Sequence, residues 1–165
     1  MSRFKSLVDS EEGVENFRVQ NRIPPRVGIK YYKERQWHEN RQKGEVVIPM
    51  ITFIEGGMRI PKVTITRDYL RAYRLAPTQC ATNMFRILRC LDTLNEKMGL
   101  GLTYHDVNWV YNLLQLKGQG YYLKSWYLKV RLIQCFPNSN KGLNKDFLIV
   151  LEEWHNGFPC STREG

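Results

Sequence analysis

Residues 83–98 read NMFRILRCLDTLNEKM, the one stretch in which apolar residues keep helical spacing for four turns. Met84, Ile87, Leu88, Leu91, Leu94 and Met98 recur at i, i+3, i+4 and i+7, while Arg86, Arg89, Asp92, Glu96 and Lys97 fall elsewhere on the wheel. That spacing predicts a helix buried along one side and wet along the other. Pro77 and the cap candidates Thr82 and Asn83 mark its start, and Gly99 marks its stop.

The flanking segments supply partners for this helix. On its C-terminal side Thr103-Tyr104-His105-Asp106 resembles a capping box with Asp in place of Glu, and Val107, Val110, Tyr111 and Leu114 continue at helical spacing to about Lys117. On its N-terminal side Thr64–Leu75 reads as a helix with Thr66 as cap, Asp68 in the first turn, and Leu70 and Tyr73 on its apolar side. Before that, Val46–Ile54 (VVIPMITFI) is a β-rich run interrupted by Pro49, the pattern of an edge strand, and Glu55-Gly56-Gly57 turns the chain. Beyond Gly120 the period shortens. Tyr121–Tyr127, Val130–Phe136 and Phe147–Leu151 are β-branched or aromatic runs, and PNSNKGLNKD between the last two suits a hairpin connection. The expected fold class is α+β, central helices packed on a small antiparallel sheet.

Residues 1–45 read as a polar, basic N-terminal arm that is disordered or loosely docked: EEGVEN is loop-like, Pro24 and Pro25 break any helix, and KYYKERQWHENRQK is charged. Tyr31, Tyr32 and Trp37 either dock this arm or stack on exposed bases. The resulting division is an arm over 1–45, a domain over 46–155 and a tail over 156–165. At 165 residues with 42% hydrophobic content the chain is large enough to bury a core. It contains no apolar run long enough to span a bilayer and no secretory signal at its start, so an intracellular protein without a membrane partner is expected, nuclear or cytoplasmic. Cys80, Cys90, Cys135 and Cys160 include no CxxC pair, which argues against a zinc knuckle and for reduced thiols; with an even number of cysteines a disulfide pair stays open.

The formal net charge is +9, and the excess lies in three blocks, +6 over 18–43, +5 over 59–97 and +6 over 117–145. Such blocks attract phosphate if they merge on one surface, and equally suit a solvated exterior. Arg67, Arg71 and Arg74 at i, i+4 and i+7 share one helical face. Lys141 and Lys145 lie in or beside Asn138-Ser139-Asn140-Lys141-Gly142, a turn whose amides can cradle a phosphate and which serves as well as a plain hairpin loop. Tyr121, Tyr122, Trp126 and Tyr127 alternate along a strand, placing one pair in the core and leaving the other able to stack on single-stranded RNA. These five cations are the candidate nucleic-acid-binding residues. No catalytic residue, metal ligand or cofactor is expected. Asp92 and Glu96 share a face near Arg89 and Lys97, the pattern of a surface ion-pair network. His38, His105 and His155 are isolated, and no phosphate loop, nucleophile elbow or HExxH occurs.

GMRIP at 57–61, LAPTQ at 75–79 with Asn83 beyond, GYY at 120–122, and PNSNKG at 137–142 followed by FLIV at 147–150 occur together in this order. In order and spacing they resemble the plant gypsy-type transposon domain, also called the plant transposon protein domain, found beside gag-like regions of retroelements. The resemblance covers about residues 46–155. Leu143 and Asn144 depart from the aromatic and basic residues usual after SNKG in that family. The resemblance implies no catalytic residues. It implies a gag-associated or nucleoprotein interaction module touching RNA or DNA without sequence preference, with self-association as the alternative partner. The chain ends at Gly165 without the long helical region that often follows, which fits an inert fragment of a degraded retroelement as a further alternative.

Overall fold

The computed structural model of the chain describes residues 4–33, 45–59, 64–117, 120–127, 129 and 146–151. The elements are helix α1 (Glu11–Gln20), strands β1 (Gly28–Lys33) and β2 (Glu45–Pro49), helices α2 (Met50–Ile54), α3 (Thr64–Ala72), α4 (Thr82–Met98) and α5 (Tyr104–Val110), and strands β3 (Tyr111–Leu116), β4 (Gly120–Ser125) and β5 (Asp146–Leu151). This is an α+β arrangement with antiparallel sheets, as the periodicities predict.

α4 is the axis of the core. Met84, Phe85, Ile87, Leu88 and Leu91 are buried, and α2, α3 and β4 pack around them. Gly99 takes the left-handed conformation, φ +59°, and its N–H donates to Asn95 O at 2.9 Å, closing the helix where its glycine predicts. Three details differ from the wheel. Leu94 and Met98 are exposed because α4 runs beyond the elements that cover its first three turns. Neither Thr82 nor Asn83 caps the helix: Ala81 occupies that position, with no side-chain bond, and Pro77 opens a separate 3-10 turn, Pro77–Gln79. Asp92, on the nominally wet side, is only 2% exposed.

β5 lies at the centre of a three-stranded sheet of order β1-β5-β2, antiparallel to both neighbours, with Tyr31 and Ile48 flanking Leu148, and Ile29 and Val46 flanking Val150. Alternation sends Leu148 and Val150 into the main core, and Phe147 and Ile149 into a second cluster with Val47 and Tyr32. β2 is the edge strand that Pro49 predicts, but its apolar run does not continue as strand. Pro49 stands before Met50, and the chain coils into α2, where the Thr52 hydroxyl donates to Pro49 O at 2.7 Å.

The N-terminal segment is docked throughout residues 4–33. Glu11 and Glu12 occupy the first turn of α1 behind Ser10, whose Oγ accepts from the Gly13 amide at 3.0 Å, so the loop reading of EEGVEN is corrected to a capped helix. Phe17 meets Phe53 edge to face at 5.9 Å, and Phe4, Val8, Ile23 and Val27 are buried. Buried Asp146 ties the segment down: its Oδ2 accepts from the Phe4 amide at 3.1 Å and its Oδ1 from the Tyr31 hydroxyl at 2.6 Å. Tyr31 therefore docks the segment; Trp37 lies outside the described residues.

The second core helix is shorter than its spacing predicts. α5 ends at Val110 and the chain continues as β3, paired with β4 from Tyr111↔Ser125 to Leu116↔Gly120. Gly120, at φ +82°, begins β4 so close to the 3-10 turn that a Cβ there would lie 2.5 Å from Gln79 O. That approach lets the Ala81 amide donate to Tyr121 O at 2.7 Å, which joins the hairpin to the start of α4. The runs 130–136 and 137–145 lie outside the described residues. Cys80 and Cys90 are free thiols, and burial pushes both pKa values up. Among the described residues no helix is long and apolar enough to cross a membrane.

Candidate nucleic-acid interface

α3 presents the predicted cationic face because its other side is consumed by the core. Ile65, Tyr69 and Leu70 are buried, which turns Arg67 and Arg71 outward. The helix does not start on its own cap. Asp92 of α4 reaches across, accepting from the Ile65 amide at 2.8 Å (Oδ1), and from the Thr66 amide at 3.3 Å and hydroxyl at 2.9 Å (Oδ2). A carboxylate at a helix N-terminus satisfies orphan amides and faces the positive end of the dipole. Burial raises the Asp92 pKa, and the bonds from Ile65 and Thr66 pull it back down. Asp92 is thus a buried cap, with the Arg89 charge acting on it as well. The ion pair of the predicted pattern is Arg89 Nη1 to Glu96 Oε1, at 3.7 Å.

α3 ends at Ala72, one turn earlier than predicted. The Leu75 amide bonds back to Leu70 O at 2.9 Å, and Arg74 occupies the left-handed position between them at φ +53°, where glycine is usual. Arg67, Arg71 and Arg74 are therefore two helical residues and one terminal residue. Arg67 Nε donates to Asp68 Oδ1 at 3.0 Å, whereas Arg71 and Arg74 are exposed, with no carboxylate of the described residues within ion-pair distance. Other arginines are engaged. Arg18 donates to Pro24 O and Val27 O at 2.7 and 2.6 Å, and Arg86 to Glu55 O at 2.7 Å. Burial, with repulsion from Arg89 and Arg22, pulls the Arg59 guanidinium below its ordinary value, Glu96 opposing. Lys141 and Lys145 lie outside the described residues.

Beside Arg74 the surface changes character. Tyr73, Trp109, Trp126 and Tyr127 are 39%, 80%, 57% and 64% exposed, and they are the exposed aromatic side chains among the described residues. Asn108 of α5 joins them: its Oδ1 accepts from the Tyr73 hydroxyl at 3.0 Å, and its backbone O from the Trp126 indole N–H at 3.0 Å. The Trp126 amide donates to Val110 O at 2.9 Å, so the residue extends the β3–β4 ladder past Ser125. The Ser125 hydroxyl donates to Tyr127 O at 2.7 Å and accepts from the Tyr127 amide at 3.3 Å, which fixes the following bend. Of the two strand pairs, Trp126 and Tyr127 are the exposed one, while Tyr121 and Tyr122 are half-buried. Trp109 is absent from the sequence-derived set because it lies off the apolar spacing of its segment. A large aromatic off that spacing was the available signal.

A scan against protein-family models finds no match, and searches of curated proteins and of solved structures find none either.

Proposed function

We propose that this chain is a non-enzymatic nucleoprotein module of a plant retroelement that contacts RNA or DNA without sequence preference through Arg67, Arg71, Arg74 and the other basic blocks of its sequence. The observation that carries the reading is the contrast among arginines. Arg18 and Arg86 are spent on backbone carbonyls, while Arg71 and Arg74 stand in solvent with no described carboxylate beside them. Arg74 holds its place in a conformation that costs a non-glycine residue about 1 kcal/mol. Arg22 closes α1 in the same way at φ +54°, so this conformation is a helix ending shared by both, and the exposed charge of Arg71 and Arg74 carries the reading.

The test is binding of the full chain to labelled RNA and duplex DNA across a salt series. Log affinity falls linearly with log salt, and Arg71→Ala reduces the slope by about one for the phosphate contact it removes. Arg74→Gly is the sharper variant, because it weakens binding while raising stability by about 1 kcal/mol in urea unfolding. Affinity that ignores both salt and Arg71 rejects the reading.

A second reading rests on the far end of α4, where Leu94, Met98 and Leu100 are exposed together. Such an end suits self-association, and light scattering on the same sample separates the two. A dimer indifferent to nucleic acid favours assembly.

A further inference from the structure

We propose that the corner formed by Tyr73, Trp109, Trp126 and Tyr127 is a stacking platform for unpaired bases, which makes the module selective for single-stranded nucleic acid over duplex. The inference rests on the reading that the neighbouring arginines contact phosphate. Large aromatics are ordinarily buried, and here the exposed ones of the described residues concentrate where α3, α5 and β4 end. They also come with a fixed support. One asparagine, Asn108, holds the Tyr73 hydroxyl through its side chain and the Trp126 indole N–H through its backbone, and the Ser125 hydroxyl pins the Tyr127 backbone. Tyr73 and Trp126 are held by their polar tips, Trp109 and Tyr127 are the most exposed of the four, and a π-face is what every base shares.

Charge selects the occupant. Arg74 adjoins Tyr73, and exposed Lys124 and Lys129 flank Trp126 and Tyr127 in the chain. The carboxylates of α3 and α5 are Asp68 and Asp106; the first pairs with Arg67, and the second accepts both the amide and the hydroxyl of Thr103, at 2.7 and 2.9 Å. Aromatic faces bordered by cations complement a polyanion that carries stackable bases. Duplex hides those bases in its own stack, so it can use only the cations.

The experiment uses the full chain with 12-nucleotide oligouridylate, the matching oligothymidylate and a 12-base-pair duplex, at two salt concentrations. Variants are Trp109→Ala, Tyr127→Ala, Trp126→Phe and the control Val19→Ala, which removes an exposed apolar side chain on α1. Wild type prefers both single strands to duplex. Trp109→Ala and Tyr127→Ala each lower single-strand affinity about tenfold, duplex affinity changing about twofold at most, while Trp126→Phe keeps a face and most of the affinity. Val19→Ala changes nothing, and melting curves of all four show that the fold is retained. Salt-dependent binding that treats single strand and duplex alike, or that survives loss of the rings, overturns the platform and leaves the phosphate contact standing. A chain that binds no nucleic acid at low salt overturns both. A dimer that Trp109→Ala dissociates, with nucleic-acid affinity unchanged, assigns the corner to a second copy instead.

Discussion

Removing the Asp92 carboxylate takes the acceptor from the Ile65 amide and from the amide and hydroxyl of Thr66, all buried in the first turn of α3. Asp92→Ala is expected to cost about 3 kcal/mol in urea unfolding, since buried donors left without acceptors keep their full desolvation penalty. Its titration runs opposite to that of Asp106. Burial raises the Asp92 pKa above its unfolded value, so its contribution to stability is greatest in acid and declines as pH rises from the unfolded pKa through the folded one. The Thr103 amide and hydroxyl lower the Asp106 pKa, so the stability it contributes is present above the unfolded value and is lost as pH falls through the folded one. Carboxyl carbon shifts followed by NMR should place the Asp92 midpoint above the usual carboxylate range and the Asp106 midpoint below it. Two glycines differ as plainly. At Gly99 a Cβ would meet nothing within 4 Å, so Gly99→Ala costs only its left-handed φ, about 1 kcal/mol. At Gly120 the same change also drives a methyl into Gln79 O, and unfolding should show a loss of about 3 kcal/mol or more. The Thr103–Asp106 box was legible because both partners stand three residues apart. Asp92 was not, because its partners come from a helix 26 residues earlier in the chain.

β5 carries the three-stranded sheet, since β1 and β2 pair with it and not with each other. A chain ending before Asp146 loses Leu148 and Val150 from the core and leaves both remaining strands without a ladder. It should show no cooperative transition in urea by circular dichroism, and a cooperative one of unchanged midpoint would refute the central role of β5. Most elements could be read from the sequence, and the misreadings share one cause. Val107, Val110, Tyr111 and Leu114 satisfy helical spacing, while Tyr111, Leu113 and Gln115 equally fit a strand, so the junction at Val110 is set by pairing with β4. α1 is polar enough to pass for a loop, and it is held by Phe17 packing against Phe53. Local pattern proposes the element; distant contacts decide its length and its kind.

For the molecule as a whole, +9 is a property of the surface, and the fold sorts which charges remain available. Composition pointed to the sign, and the helical wheel to Arg67, Arg71 and Arg74. The sorting itself needed the backbone, which turns Arg18 onto Pro24 and Val27 and leaves Arg74 outside. The aromatic corner was half legible. Trp126 and Tyr127 appear in the strand pattern, but their meeting with Tyr73 through Asn108 joins segments 35 and 18 residues apart. The insertion of β5 between two strands made long before it also sets a timetable. At about 5–20 residues per second of translation, roughly a hundred residues separate the appearance of β2 from that of β5, an interval of about 5–20 seconds. Through that interval GIKYYK and EVVIP lack the strand that pairs with both of them. An edge left open is a template for another chain, so slowing synthesis of residues 50–145 is expected to lower the fraction recovered as soluble protein.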